Sequence, residues 1–251
     1  MRVWITRPEA QGRKTQQRLA ALGVAGWLQP VMTIEPLAET PTVRQQVMDL
    51  DLYQFAIFIS QNAVHYGVAL IDRFWPQWPV GLTLLAIGQA TAKALAEHGH
   101  LAAAPVAVMD SEALSALPEL QALANSRVII FKGEGGRALL AETLRARGGR
   151  VDECPLYGRR WAAEASLALQ ASDFGSQPDD AMLAYSGESV ELLAKTLASG
   201  GRQALTRQPL VVPGSRVAGV ARALGFEQII VADNATDDAM LGALLPNHPI
   251  S

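Results

Sequence analysis

Short, almost wholly apolar runs recur along this chain, each followed by a small or polar turn and then by a segment able to wind as a helix. Val3-Trp4-Ile5-Thr6 leads through Arg7-Pro8-Glu9 into a helix that runs to Leu22 and stops at Gly23. Phe55-Ala56-Ile57-Phe58-Ile59 ends at Ser60-Gln61-Asn62 and gives way to a helix from Ala63 to about Phe74. Leu82 to Ile87 reads as a third strand, Gly88-Gln89-Ala90-Thr91 as its turn, and Ala92 to Glu97 as the body of its helix. A weaker strand near Ala103 to Val108 precedes a helix from about Ser111 to Leu123. Strands alternating with helices predict parallel sheets covered on both faces.

The pattern then begins again. Arg127-Val128-Ile129-Ile130-Phe131-Lys132-Gly133-Glu134 lines up with Arg2-Val3-Trp4-Ile5-Thr6-Arg7-Pro8-Glu9, and the helices that follow end at Gly148 and Gly23, 125 residues apart. Ser60 and Val64 match Ser186 and Val190, Gly88 and Ala92 match Gly214 and Ala218, and Gly99 matches Gly225, all at a spacing of 126. Such regular spacing predicts two copies of one strand–turn–helix set.

Two stretches stand outside the alternation, Trp27 to Pro36 and Val151 to Arg160. Both are extended in pattern and carry a proline in mid-run, which predicts edge strands because proline cannot donate to a ladder. Each follows the first unit of its copy. The chain is therefore expected to leave a first domain after one unit and to return later to finish it. This predicts domains of residues 1–35 plus 162–251 and of 38–150, with 27–37 and 151–161 as crossover strands and Tyr157 at the mouth between the halves.

Composition narrows the classes. At 251 residues, 49% apolar and 18% charged, the chain has ample material for buried cores and no signature of disorder. A net charge of −3 without a Lys/Arg run leaves no electrostatic footprint for nucleic acid. A single cysteine, Cys154, excludes a disulfide framework within the chain, and a thiol at a strand end is more often packing than nucleophile. Met1 to Thr6 is too short for a signal-peptide core, and no apolar run approaches the roughly 18 residues of a membrane span, so a cytoplasmic protein without a membrane partner is expected.

In open parallel sheets, ligands bind beyond the carboxyl ends of the strands. Here those ends carry Thr6-Arg7, Ser60-Gln61-Asn62, Gly88-Gln89-Ala90-Thr91, Lys132-Gly133-Glu134-Gly135-Gly136, Ser186-Gly187-Glu188-Ser189 and Gly214-Ser215-Arg216. Each opens a helix, whose free N–H groups and partial positive charge suit carboxylates or phosphates. Taken singly, Ser60, Asn62, Ser186 and Ser189 read as helix caps; as a set facing a cleft they fit a ligand with many anionic groups. Gly133-Glu134-Gly135-Gly136 lacks the Lys-Ser/Thr of a phosphate-binding loop and the glycine spacing of a dinucleotide site. His98 and His100 flank Gly99, His65 and His248 stand alone, and nothing has metal-ligand spacing or forms a Ser/His/Asp set. An enzyme built this way works by orienting its substrate.

In order along the chain stand Arg7, Ser60-Gln61-Asn62-Ala63-Val64, Ala86-Ile87-Gly88-Gln89-Ala90-Thr91-Ala92 and Lys132-Gly133-Glu134-Gly135-Gly136-Arg137. Val151 to Arg159 with Tyr157, Ser186-Gly187 and Ala235-Thr236-Asp237-Asp238 complete the series. Over its whole length the chain resembles the uroporphyrinogen-III synthase family. The resemblance implies two similar parallel-sheet α/β domains joined by a two-stranded β-ladder, with the active site in the cleft between them. It implies closure of linear hydroxymethylbilane, a tetrapyrrole bearing many carboxylates, into uroporphyrinogen III with inversion of ring D and loss of water. No metal or organic cofactor is implied, and the protein is expected to be a monomer, open to transient contact with the preceding pathway enzyme.

By the same resemblance Tyr157 is the expected acid, and Thr91 a cleft hydroxyl that binds a carboxylate or the leaving oxygen. In the second copy the position matching Thr91 is Val217, where many relatives have a hydroxyl residue. Arg7, Lys132 and Arg216 are expected carboxylate partners, with Ser60, Gln61, Asn62, Gly88, Gly133, Ser186, Gly187 and Gly214 lining the substrate. The competing reading is a non-catalytic two-lobed module for a small anionic ligand; a nucleotide-dependent enzyme is disfavoured by the missing phosphate loops.

Overall fold

The computed structural model describes residues 1–105, 111–135 and 138–246. The first part of the chain forms β1 (Arg2–Ile5), α1 (Glu9–Ala21), β2 (Ala25–Leu28), β3 (Met32–Pro36), α2 (Pro41–Met48), β4 (Phe55–Phe58), α3 (Gln61–Ile71), β5 (Thr83–Ala86), α4 (Gln89–Glu97) and α5 (Ser111–Ser115). The remainder forms β6 (Arg127–Gly133), α6 (Leu139–Ala146), β7 (Arg150–Trp161), α7 (Glu164–Ala171), β8 (Ala181–Leu183), α8 (Gly187–Ser199), β9 (Leu210–Pro213), α9 (Gly214–Ala223), β10 (Ile229–Ala232) and α10 (Asp237–Leu244). Contacts group these elements into two compact units, residues 1–34 with 160–251 and residues 35–159.

Each unit has its own five-stranded sheet, in the orders β10-β9-β8-β1-β2 and β3-β7-β6-β4-β5. All pairs of the first sheet are parallel, as are those from β7 to β5 in the second. The two orders correspond strand for strand: β2, β1, β8 and β9 of one match β7, β6, β4 and β5 of the other. The first strand of each sequence copy therefore sits between one strand of its own copy and one of the other. Where β10 flanks β9, the matching place beside β5 holds an isolated bridge from Leu85 to Ala103, the start of the expected weak strand; Ala104 and Pro105 add no strand, and 106–108, like His248 and the Gly136-Arg137 pair, lie outside the described residues.

The turn signals act as read. Gly23, Gly99, Gly148 and Gly225 all have φ between +71° and +87°, a region costly for any residue with a Cβ, and each follows a helix. Apolar strand faces supply the cores. In the first unit Trp4, Trp27 and Phe174 form a cluster with centroid separations of 4.9, 5.5 and 5.4 Å, and the Trp4 indole N–H donates to the Gln29 carbonyl at 2.7 Å. In the second, Phe58 and Phe131 stack at 4.7 Å on neighbouring strands.

Three expectations are corrected. The stretch 27–37 is two strands: Trp27 and Leu28 belong to β2, in register with Trp4 and Ile5, and β3 begins two residues beyond Pro30, which has no N–H to give a ladder. The helix drawn from Ser111 to Leu123 ends at Ser115, because Pro118 holds Leu117 extended and starts a 3-10 turn of its own. Finally, β7 is an interior strand, between β3 and β6. Its proline is tolerated because the register steps at that point: Lys132 pairs with Pro155 but Gly133 with Tyr157. The missing N–H thus falls at a bulge. On the other side of β7, Leu37 N–H donates to the Leu156 carbonyl and Ala162 N–H to the Val31 carbonyl, at 2.9 and 3.0 Å, the descending order of an antiparallel pair. The helix α2, capped by Thr40 with proline in its first turn, was not anticipated.

Trp4 is wholly buried and hydrogen-bonded. Replacing it with alanine is expected to lower stability by about 3–5 kcal/mol, read as a fall in the urea midpoint at unchanged slope.

Candidate active site

In the unit of residues 35–159, the carboxyl ends of β4, β6 and β7 bring Ser60, Gly133 and Tyr157 together. Ser60 follows β4 and caps α3, its Oγ accepting the Ala63 N–H at 2.9 Å. The same Oγ lies 2.8 Å from the Tyr157 hydroxyl. The bulge in β7 turns the Tyr157 ring across Gly133, so closely that a Cβ there would stand 2.7 Å from the ring. Gly133 is thus a space for the phenol, since real side-chain carbons essentially never come so near. Tyr66, from α3, stacks over the other part of the ring at 5.7 Å and 24°. The Tyr157 carbonyl accepts the Glu134 N–H at 2.7 Å, which holds the bulge to the end of β6.

Within its own unit the ring is enclosed by its neighbours. Tyr157 is only 4% exposed, whereas Ser60 is half-buried and Gln61, at the start of α3, is exposed. Asn62 is half-buried in the same first turn. Gly88 caps α4 after β5, and Thr91, buried on that helix, donates its backbone N–H to the Gly88 carbonyl at 3.0 Å. Beside Gly133, a shallow pocket is lined by Lys132, Gly133, Glu134, Gly135, Glu153 and Pro155. Lys132 is engaged there by Glu153 at 2.5 Å, with Arg145 at 3.3 Å on the other carboxylate oxygen. The hydrogen bond from Lys132, with the Arg145 charge behind it, holds the Glu153 carboxyl below its ordinary range.

In the unit of residues 1–34 and 160–251, Arg7 is likewise engaged. Its guanidinium meets Asp237 at 3.0 Å and lies 4.0 Å over the Tyr185 ring. Asp237 also accepts the Thr15 and Tyr185 hydroxyls, at 3.0 and 2.8 Å. Burial, then the Asp237 charge, pushes the Tyr185 phenol up. Ser186 and Ser189 form a reciprocal capping box at the start of α8, whose first residue is Gly187. Gly214, with φ +78°, opens α9, and Val217 is buried in its first turn. Arg216 is exposed, and among the described residues no carboxylate pairs with it. Of the three expected carboxylate partners, two are thus already paired within the protein, while Arg216 is exposed. Tyr66 and the Arg7–Asp237 lock escaped the sequence reading: Tyr66 stands as an ordinary helix aromatic, and Asp237 lies 230 residues from its partner.

Among known proteins, the model of the family described as uroporphyrinogen-III synthase HemD matches residues 13–242. The chain belongs to the uroporphyrinogen-III synthase family. Its activity is that of a cyclising lyase of heme biosynthesis. The uroporphyrinogen-III synthase of Salmonella typhimurium (strain LT2) is 37% identical over 246 residues, covering 97% of this chain and all of the relative. That of Escherichia coli (strain K12) is 34% identical over 249 residues, with the same coverage. In fold, the chain resembles the Helicobacter pylori uroporphyrinogen-III synthetase structure with TM-score 0.61 at 17% identity, covering 98% of this chain and 99% of that one. A mutant Thermus thermophilus synthase gives TM-score 0.57 at 22% identity, with coverage of 98% and 100%. No helix of the described residues is long and apolar enough to cross a membrane.

Two outcomes test this geometry. Gly133→Ala is expected to cost about 1–3 kcal/mol by overpacking against Tyr157, measured by denaturant unfolding. Because Glu153 is held below its unfolded value, its ion pair stabilises the fold above the ordinary carboxylate pKa of about 4.3. That contribution is lost as pH falls through the lower folded value. Glu153→Gln should therefore melt below the parent at pH 7, with the gap closing in acid; a gap independent of pH would contradict this.

Proposed function

We propose that this family member closes hydroxymethylbilane into uroporphyrinogen III, inverting ring D and releasing water, and that the Ser60–Tyr157 hydroxyl pair assists departure of the terminal hydroxyl. The observation that carries the reading is kinship along nearly the whole chain; the role given to Tyr157 is what the family resemblance implies. The pyrrole nitrogen itself expels the hydroxyl and leaves an azafulvene. Left alone, this closes at the nearest free carbon and gives the type I isomer. The protein must instead hold ring D so that its substituted carbon attacks, giving a spiro intermediate that rearranges. That is catalysis by positioning.

Substrate carboxylates are read as lying on the amino ends of α3, α4, α8 and α9, in the first turns that Ser60, Gln61, Asn62, Gly88, Ser186, Gly187 and Gly214 form. Gly133 lines the neighbouring pocket. Arg216 adds an exposed cation, and Thr91 a second hydroxyl beyond β5. Arg7 and Lys132 act through the carboxylates they hold, orienting the loops that carry them. The reading includes a monomer working in the cytoplasm, in keeping with a lone, buried thiol.

Given freshly made hydroxymethylbilane, the protein is expected to yield type III porphyrin after oxidation. A type I product indistinguishable from the control without protein would overturn the proposal, and tight binding of an unrelated anion without turnover would replace it with a binding module.

A further inference from the structure

Which of the two hydroxyls reaches the substrate follows from how their lone pairs and protons are used, and the inference rests on the synthase reading above. Ser60 Oγ has two acceptor sites and one proton. One acceptor site is filled by the Ala63 N–H at 2.9 Å. The Tyr157 hydroxyl stands 2.8 Å away, in a geometry that allows either oxygen to donate. The phenol is enclosed by Gly133 and Tyr66 and is 4% exposed, while Ser60 is half-buried at the open end of α3. If Ser60 donated to Tyr157, the proton available for transfer would sit on the enclosed oxygen. If Tyr157 donates, both acceptor sites of Ser60 are filled and its own proton is left on the accessible side.

We propose that Ser60 is the catalytic hydroxyl that touches the leaving oxygen, and that Tyr157 is a positioning residue that replenishes its proton. As the carbon–oxygen bond of the terminal hydroxymethyl group breaks, the electron pair goes to oxygen and the pyrrole nitrogen supplies its own pair to the carbon. The Ser60 proton passes to the departing oxygen and forms water. Ser60 takes the phenol proton from Tyr157, leaving a phenolate beside the cationic azafulvenium. When the ring closes and the pyrroles regain aromaticity, the proton released from the substrate returns through Ser60 to Tyr157. Nothing is oxidised or reduced, and the protein ends as it began.

The test separates proton delivery from helix capping. Asparagine caps helices as well as serine does, but its amide has no proton acidic enough to transfer. Ser60→Asn and Ser60→Ala are therefore both expected to lose about 10²-fold in kcat, while Ser60→Thr stays within a few-fold of the parent. Tyr157→Phe removes only the second proton and is expected to lose about 10-fold, with a smaller solvent deuterium effect on kcat than the parent. Full kcat in Ser60→Asn, or a loss in Tyr157→Phe equal to or greater than that in Ser60→Ala, would overturn the proposal. Ser60→Asn keeps the cap, so melting temperatures near the parent's show that its loss is not one of folding. The parent's type III yield, measured alongside, reports on the synthase reading separately.

Discussion

Every other feature of this fold follows from the hydrogen-bonded pairing of β1 with β8 and of β6 with β4. Each first strand is wedged between neighbours and shielded on both faces, so its backbone N–H and C=O groups have no alternative partners within reach. Because β1 pairs with a strand about 175 residues further on, the polypeptide must leave one unit after a single strand–helix–strand and come back. It does so along β3 and β7, which pair with each other. Parallel strands need long crossovers, and this one contains an entire second unit.

The site inherits its geometry from that route. β7 serves as a ladder strand, as the return path and as the carrier of Tyr157. Its proline breaks the bond pattern where the register steps, and the step aims the phenol over Gly133. Ser60 joins by a different logic, as the cap of a helix, and meets the phenol only because β4 and β6 are adjacent. Gly67, two turns beyond, has no room for a Cβ against Phe58, which keeps α3 close on the sheet.

Much of this was legible in the chain. Val3-Trp4-Ile5, Phe55 to Phe58 and Val128 to Phe131 are apolar runs that cannot be helices of useful length, and the glycines at 23, 99, 148 and 225 mark the helix ends they punctuate. The 125–126 residue repeat reappears as two sheets of matching order. Less visible was whatever depends on partners remote in sequence. Pro155 looked like the mark of an edge strand because a bulge cannot be seen without its opposite strand. Arg7 and Lys132 looked like free cations because Asp237 and Glu153 are joined to them only by the fold. The same holds for Tyr157, whose burial is set by Gly133 and Tyr66 from two other elements.

The unequal division of the chain has a bearing on how the protein is made. Residues 35–159 are contiguous, so that unit has all its strands as soon as they clear the ribosome, and it can collapse while synthesis continues. In the other unit, β1 precedes that block but waits for β8, about 175 residues later, before its second edge is covered. During that interval a strand as apolar as Val3-Trp4-Ile5 has only β2 beside it. A segment made before the contiguous unit thus completes its pairing only after that unit has been made.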